Sequence, residues 1–296
     1  HVPYSSMGAD TGDLNNDGRP DLLVADMAAT SHEQDHRGMA YSRNLQTNAV
    51  EPASTEVPQY SHNALFLNTG TGRCLEAAYL SGLSATDWTW SVRFEDLDND
   101  GRLDLHITNG MVREYQNVDL LDRMVLAQNP AERMAIMRSS PRLEETNLAF
   151  RNTGDLQFEE VGSRWGLDQK GVSFGAGFGD FDGDGDLDVV FANHEGNPTV
   201  LRNDSPDGHR LIIALQGTVS NRFGVGAKVT IETDQGTQVR YLNPARGYFS
   251  TSEPWLHFGL GRSAEVRRLT VDWPSGHRQD FTNLAADRRY TITEPV

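Results

Sequence analysis

Three nine-residue stretches carry the densest chemistry in the chain: Asp13-Leu-Asn15-Asn-Asp17-Gly18-Arg19-Pro-Asp21, Asp96-Leu-Asp98-Asn-Asp100-Gly101-Arg102-Leu-Asp104, and Asp180-Phe-Asp182-Gly-Asp184-Gly185-Asp186-Leu-Asp188. Each sets oxygen ligands at positions one, three and five, a glycine at six and a last acid at nine. A hard cation takes six to eight oxygens, and a loop that supplies them from alternate positions needs a sharp turn to wrap the ion. Position seven adds a backbone carbonyl, from Arg19, Arg102 or Asp186. Carboxylates crowded this closely repel one another unless a cation compensates them. The pattern therefore points to calcium, with Asp13, Asn15, Asp17, Arg19 and Asp21 as the first ligand set. Asp96, Asp98, Asp100, Arg102 and Asp104 form the second, and Asp180, Asp182, Asp184, Asp186 and Asp188 the third. No Glu stands at position twelve and the flanks are β-rich, so these are not EF-hands. The alternative is a solvated Asp-Gly turn joining two strands.

The loops begin at Asp13, Asp96 and Asp180, 83 and 84 residues apart. Short alternating segments precede them and apolar β-rich runs follow, such as Leu22–Val24, Leu105–Thr108 and Val189–Phe191. A second element repeats in the same register: Ala64–Gly70 leading to Cys74–Glu76, and Ala149–Gly154 leading to Phe158–Glu160. In both, Asn-Thr-Gly supplies residues that tolerate positive φ in a hairpin turn. Strands before and after each loop plus a hairpin make four per unit, and such units in series are propeller blades. The expected fold is all-β: a partial β-propeller of three four-stranded blades over residues 1–205, then a small β-domain over 206–296, where the repeat gives way to short β-runs.

A blade needs about 40 to 50 residues, so each period carries an insertion, at about 27–62 and 110–146. The second reads helical: Asn129 caps, Pro130 starts the helix and Glu132 stands in its first turn. Val118–Leu126 reads as a preceding helix. Their apolar residues, Met134, Ile136 and Met137 among them, are expected to pack against the blades, with a partner-binding surface as the alternative. Three units fall short of the smallest ring, which predicts an open arc whose edge needs covering. The chain opens on His1-Val2-Pro3 with no Met or leader and reads as a fragment of something longer.

The C-terminal stretches Asn221–Val229, Arg246–Ser252, Leu256–Gly261 and Val271–Gly276, following three acidic loops in register, resemble the ASPIC/UnbV family. In that family FG-GAP (VCBS-type) propeller repeats precede a characteristic C-terminal domain. Large secreted or periplasmic bacterial members share the Asp87-Trp-Thr-Trp90 and Asn109-Gly110 segments. The resemblance implies calcium binding and an extracytoplasmic location, and names no shared reaction.

Other features exclude more than they promise. Acidic residues number 42 against 26 basic ones, a net charge of −16, and a nucleic-acid binder needs a basic face. No apolar run is long enough for a transmembrane helix, and the single Cys74 excludes an intrachain disulfide. His32-Glu33-Gln34-Asp35-His36 matches the zinc-protease pattern. It is polar throughout, has no His at position 42 and offers only Glu51 or Glu56 as a distant third ligand, so a surface helix or loop is expected. Glu95 beside Asp96 could do acid–base work, but support of the adjacent loop is the expectation. The five tryptophans, Trp88, Trp90, Trp165, Trp255 and Trp273, are expected mostly in the core, although they could stack on sugars. The reading that results is a non-catalytic calcium-stabilised module that binds a protein or glycan, with a carbohydrate-active hydrolase or lyase as its rival.

Overall fold

A computed structural model describes residues 2–38, 59–114 and 116–296. Strands Gly8–Gly12, Asp21–Ala25, Ala64–Asn68 and Cys74–Glu76 form the first antiparallel sheet, in that order. Asp87–Glu95, Asp104–Asn109, Leu148–Gly154 and Gln157–Glu160 form the second, with the short strand Met27–Ala28 added beside Asp87 and Trp88. The third holds Ser173–Gly179, Asp188–Asn193 and Thr199–Leu201. Each acidic loop is the turn between the first two strands of its sheet, and the last pairs before it are equivalent: Gly12 with Asp21, Glu95 with Asp104, Gly179 with Asp188. The period seen in the sequence is therefore a period of structure.

Consecutive sheets pack face to face on both sides of the second strand, so that every residue of Asp104–Asn109 is buried. One core, with Leu23, Leu65, Phe94 and Leu105, lies between the first and second sheets. Another, with Val161, Phe178, Val189 and Phe191, lies between the second and third. The first strands run close together: a Cβ on Gly8 would lie 2.4 Å from the Trp90 carbonyl oxygen.

The third sheet has three strands rather than the expected four, because after Leu201 the chain leaves through Pro206 into two further sheets. These hold Trp255–Gly261, His209–Gln216 and Arg288–Thr293, and Thr237–Tyr241, Lys228–Glu232, Glu265–Asp272 and Arg278–Ala285. They enclose one core with Leu211, Ile213, Val229, Phe258, Val271 and Trp273. The five sheets give a mostly β, propeller-like arrangement. Residues 243–253, which link the two C-terminal sheets, return along the first strands of the blades. Ser252 Oγ accepts from the Phe178 backbone N–H at 3.0 Å, and a Cβ on Gly175 would lie 2.5 Å from the Tyr248 carbonyl oxygen. The segment thus lies against the first strands of all three sheets, Arg246 on Asp10, Tyr248 on Ser91 and Ser252 on Phe178.

The second insertion forms helices Val118–Leu126 and Pro130–Ser139. Asn129 Oδ1 caps the latter by accepting from the Glu132 N–H at 3.0 Å. Its apolar residues are covered only in part, Ile136 and Met137 being half-buried. No residue of Pro130–Ser139 is buried, Met134 is 47% exposed, and of Val118–Leu126 only Leu120 is buried. The two helices pack on each other, and Val118–Leu126 also meets the helix His32–Gly38 of the first insertion. In the first insertion His32–Gly38 is a surface helix with no buried residue. The rest of that insertion, residues 39–58 with position 42, Glu51 and Glu56, lies outside the described residues.

Candidate metal centre

The backbone of each loop follows from its residue types. Position four turns left-handed, at φ +55° in Asn16, +58° in Asn99 and +84° in Gly183, a region that Asn and Gly occupy most readily. The glycine at six does the same, at +86°, +91° and +95°.

The ninth-position acid is a brace in all three repeats. Asp21, Asp104 and Asp188 are buried. One oxygen of each accepts from the second loop residue, Leu14, Leu97 or Phe181, at 3.1, 3.0 and 2.8 Å. The other accepts from the N–H of Asn68, Asn152 or Asn203, at 2.9, 2.9 and 2.8 Å. Two of these asparagines also reach back into the previous blade. Asn152 Nδ2 donates to the Leu14 carbonyl at 2.9 Å and Asn203 Nδ2 to the Leu97 carbonyl at 2.8 Å. The fourth residues join neighbouring loops directly: Asn16 Nδ2 donates to the Gly101 carbonyl at 3.2 Å, and Asn99 Nδ2 to Asp186 Oδ1 at 2.9 Å.

Beyond this shared frame the loops diverge. In the second, ligand oxygens of Asp96, Asp98 and Asp104 lie within 4.8 Å of one another. Asp96 is 1% exposed; its Oδ2 accepts from the N–H groups of Gly101 at 2.9 Å and Gly259 at 3.1 Å, while its Oδ1 is buried with no hydrogen-bond donor. Burial, followed by Arg240 in the opposite sense and by the charges of Asp100 and Asp98, leaves the Asp96 carboxyl raised to about 8. Burial and then Asp96 and Asp98 push Asp104 well above the carboxylate range. Asp98 is also raised, by burial and Asp100, against the pull of Arg151. Asp100 stands outside the trio, paired with Arg102 at 3.2 Å and Arg151 at 3.1 Å. In the third loop Asp180, Asp182 and Asp184 converge within 4.8 Å near the surface. Asp186 turns its buried carboxylate to Asn99 and to Arg210, whose Nε is 3.3 Å away.

The first loop is different. Asp13 spends its oxygens on the N–H groups of Asp17 and Gly18, at 2.9 and 2.8 Å, and Asp17 pairs with Arg19. No three of its acids form a ligand-like group among the described residues. Burial raises Asp13 and Asp21.

A divalent cation suits the second loop on the evidence of Asp96 Oδ1, because a buried carboxylate oxygen without a donor is unsatisfied and costly unless positive charge meets it. All three loops also press against the C-terminal sheets, which sequence reasoning did not foresee. Gly261 donates to the Asn99 carbonyl at 2.7 Å, and Arg210 donates to the Asp184 carbonyl. The buried Arg240 lies where its charge acts on both Asp13 and Asp96. Arg246 makes a two-pronged pair with Asp10, at 2.8 and 2.6 Å, and meets Glu95 at 3.2 Å. Glu95 is thus held by Arg246 and Arg93 beside the second loop. The hairpin asparagines, by contrast, had a signal in the sequence, Asn68 and Asn152 recurring 84 residues apart.

The remaining site expectations resolve simply. His32 and His36 stack edge-on, with ring centroids 4.1 Å apart, and no third ligand joins them in a metal-like group among the described residues. Trp88 and Trp273 are buried, and Trp90, Trp165 and Trp255 partly so. No helix among the described residues is long and apolar enough to cross a membrane.

Comparison with known proteins matches residues 217–296 to the ASPIC and UnbV family model and residues 53–107 to an FG-GAP-like repeat model. Both parts of the resemblance read from the sequence are thereby matched. The chain is 27% identical over 265 residues to cartilage acidic protein 1 of Mus musculus, covering 78% of this chain and 41% of that protein. The Homo sapiens protein of the same name gives 27% over 265 residues, covering 78% and 40%. That of Xenopus tropicalis gives 26% over 261 residues, covering 76% and 39%. The chain thus spans about two fifths of the length of these relatives.

Proposed function

We propose that this chain is a calcium-stabilised propeller module of an extracytoplasmic protein, with residues 1–205 forming the blades and 206–296 a β-domain docked on their acidic loops, and that it serves adhesion by binding a protein or glycan. The buried, donor-less Oδ1 of Asp96 carries the calcium reading. Asp96, Asp98 and Asp104 would hold the ion of the second loop with the Arg102 carbonyl, and Asp180, Asp182 and Asp184 that of the third with the Asp186 carbonyl. Calcium, when bound, supplies the positive charge that these carboxylates lack. The chain's own part is to fix the loop: glycine and asparagine set its turns, the ninth acid ties it to the hairpin, and the C-terminal sheets shut out water.

Extracellular modules bind calcium with dissociation constants of roughly 0.1 to 1 mM. At about 1 mM free ion each site then adds about 0.4 to 1.4 kcal/mol. Thermal unfolding with calcium and with chelator tests this. The melting temperature is expected to rise with calcium, and Asp98→Ala or Asp182→Ala to remove one site's share. Identical wild-type curves in both conditions would return the loops to ordinary turns.

A further inference from the structure

The third sheet is one strand short, and the repeat shows what is missing. In the first and second sheets the third strand, Ala64–Asn68 or Leu148–Gly154, carries a fourth on its outer side, Cys74–Glu76 or Gln157–Glu160. Thr199–Leu201 holds the third place in the third sheet, and among the described residues no strand pairs with its outer side. The positions correspond through the hairpin asparagines, Asn68, Asn152 and Asn203, whose N–H groups meet the ninth acids. Three residues before each stand Leu65, Ala149 and Val200. Leu65 and Ala149 are fully buried, and their carbonyls accept from the N–H groups of Ala77 and Val161, both at 2.8 Å, where the chain leaves the fourth strand. Val200 is 61% exposed, and among the described residues no backbone donor meets its carbonyl in this way.

The space beside this edge is open as well. At Leu201 the core between the second and third sheets gives way to a cavity of about 330 Å³, whose lining includes Leu97, Trp165, Leu167, Phe178, Leu201 and Asn203. One repeat earlier the counterpart is filled. Phe158, which pairs opposite Asn152 on the fourth strand of the second sheet, packs against the core between the first and second sheets. A residue opposite Asn203 on an added strand would be directed at the cavity in the same way. An edge strand with free backbone groups beside an apolar recess takes up an extended peptide: main-chain bonds hold it, and the recess reads one side chain. Charge narrows the source of that peptide. The chain has a net charge of −16, and Asp98 and Asp204 stand in the cavity lining, so a second copy meets repulsion and a basic strand meets attraction.

We propose that the Thr199–Leu201 edge takes an extended, basic segment of a partner protein as the fourth strand of the third sheet, with an aromatic side chain seated in the cavity beside Leu97, Trp165 and Leu201. This rests on the protein-binding branch of the function above and gives it a surface and a kind of partner.

The whole chain, in calcium, is titrated by calorimetry and by tryptophan fluorescence with a peptide of residues 155–161 carrying Asp155→Lys, Glu159→Lys and Glu160→Lys. This probe is the second sheet's own fourth strand made basic. It is expected to bind and to shift the emission of Trp165, assigned with the Trp165→Phe chain. Adding Phe158→Ala to the peptide keeps its charge and is expected to weaken binding roughly tenfold. Val200→Pro in the chain removes the N–H that points the same way as the free carbonyl, a change that edge strands tolerate. It is expected to weaken binding by a similar factor with an unchanged melting temperature; should it unfold the chain, the two peptides on wild type decide. Equal binding of both peptides would reduce the effect to charge attraction and overturn the site, as would no binding at all. Self-association of the chain that Val200→Pro abolishes would make a second copy the occupant. Binding that is lost in a longer polypeptide containing these residues would make that polypeptide's own strand the occupant, and either result overturns the partner. Failure of the peptide leaves the calcium reading to be judged by its own melting experiment.

Discussion

Arg246 is the residue whose removal should most clearly separate the blades from the C-terminal sheets. Its guanidinium grips both oxygens of Asp10 on the first strand of the first sheet, at 2.8 and 2.6 Å, meets Glu95 of the second at 3.2 Å and donates to the Phe94 carbonyl. Burial works against its charge, but Asp10 and then Glu95 more than offset this and raise its affinity for the proton. Breaking a buried pair by removing one partner typically costs about 3 to 5 kcal/mol, because the other charge stays buried and unpaired. Here the loss is moderated: Asp10, 4% exposed, keeps the backbone N–H groups of Thr11 at 2.9 Å and Phe94 at 2.8 Å, and Glu95 keeps Arg93. Arg246→Ala is therefore expected to cost about 3 kcal/mol, or roughly 6 to 12 °C in melting temperature. The double change Asp10→Asn with Arg246→Ala removes both charges and should recover at least half of that. Chemical unfolding of wild type, both single variants and the double variant closes the cycle. Single losses below about 1 kcal/mol, or a double variant whose loss is the sum of the singles, would refute this account of what joins the two parts.

Two other perturbations follow from the same contacts. Asn152→Ala deletes a fully buried amide that ties the second hairpin to the Leu14 and Leu103 carbonyls and should cost about 2 to 3 kcal/mol. Asn68→Ala, whose side chain bonds only within its own turn among the described residues, should cost under about 1 kcal/mol; equal losses by urea denaturation would contradict the clasp. His106 is buried between Phe178 and Phe191 with neither ring nitrogen hydrogen-bonded; burial, and then the charge of Arg93, lower its pKa to about 3. The unfolded chain takes up this proton near pH 6.5 and the folded one only near 3, so stability is present above 6.5 and is lost as pH falls towards 3. His106→Phe should accordingly flatten the fall in stability between pH 7 and 5.5 by about 1 kcal/mol, measured by urea denaturation at the two pH values; an unchanged slope would place the acid lability elsewhere.

What the sequence made legible was local. Loop period, hairpins and the caps of the inserted helices depend on residues within a few positions of one another, and spacing displays them directly. Burial of an amphipathic face was not legible in the same way. Met134, Ile136 and Met137 have the types of a core-facing stripe, but what covers them depends on where the insertion leaves the sheet, and here Met134 is exposed while Ile136 and Met137 are only half-buried. The first acidic loop shows the same limit within one motif. Its pattern nearly repeats the second, yet Asp13 is taken up by its own loop's amides and Asp17 by Arg19, so similar spacing does not bring the acids together. Spacing flagged the ninth acid as a ligand but not as a brace, because the partners of that second task are backbone groups, which carry no sequence signature.

The contacts that make the loops into a site are the least legible of all, since they span the chain. Gly259 donates its N–H to Asp96 from 163 positions away. In the sequence it is one glycine of Leu256–Gly261. In the structure a Cβ there would lie 2.2 Å from Asp96 Oδ2 and 2.5 Å from the Asn99 Cα, so no larger residue lets the sheet close on the loop. Asp96 Oδ2 is thus shared between its own loop, through Gly101, and the C-terminal sheet, through Gly259. Both bonds are stronger to a carboxylate than to the neutral acid, and a calcium ion would hold that carboxylate ionised against a pKa of about 8. Ion binding and closure of the C-terminal sheets on the blades therefore draw on the same charge, and each should strengthen the other.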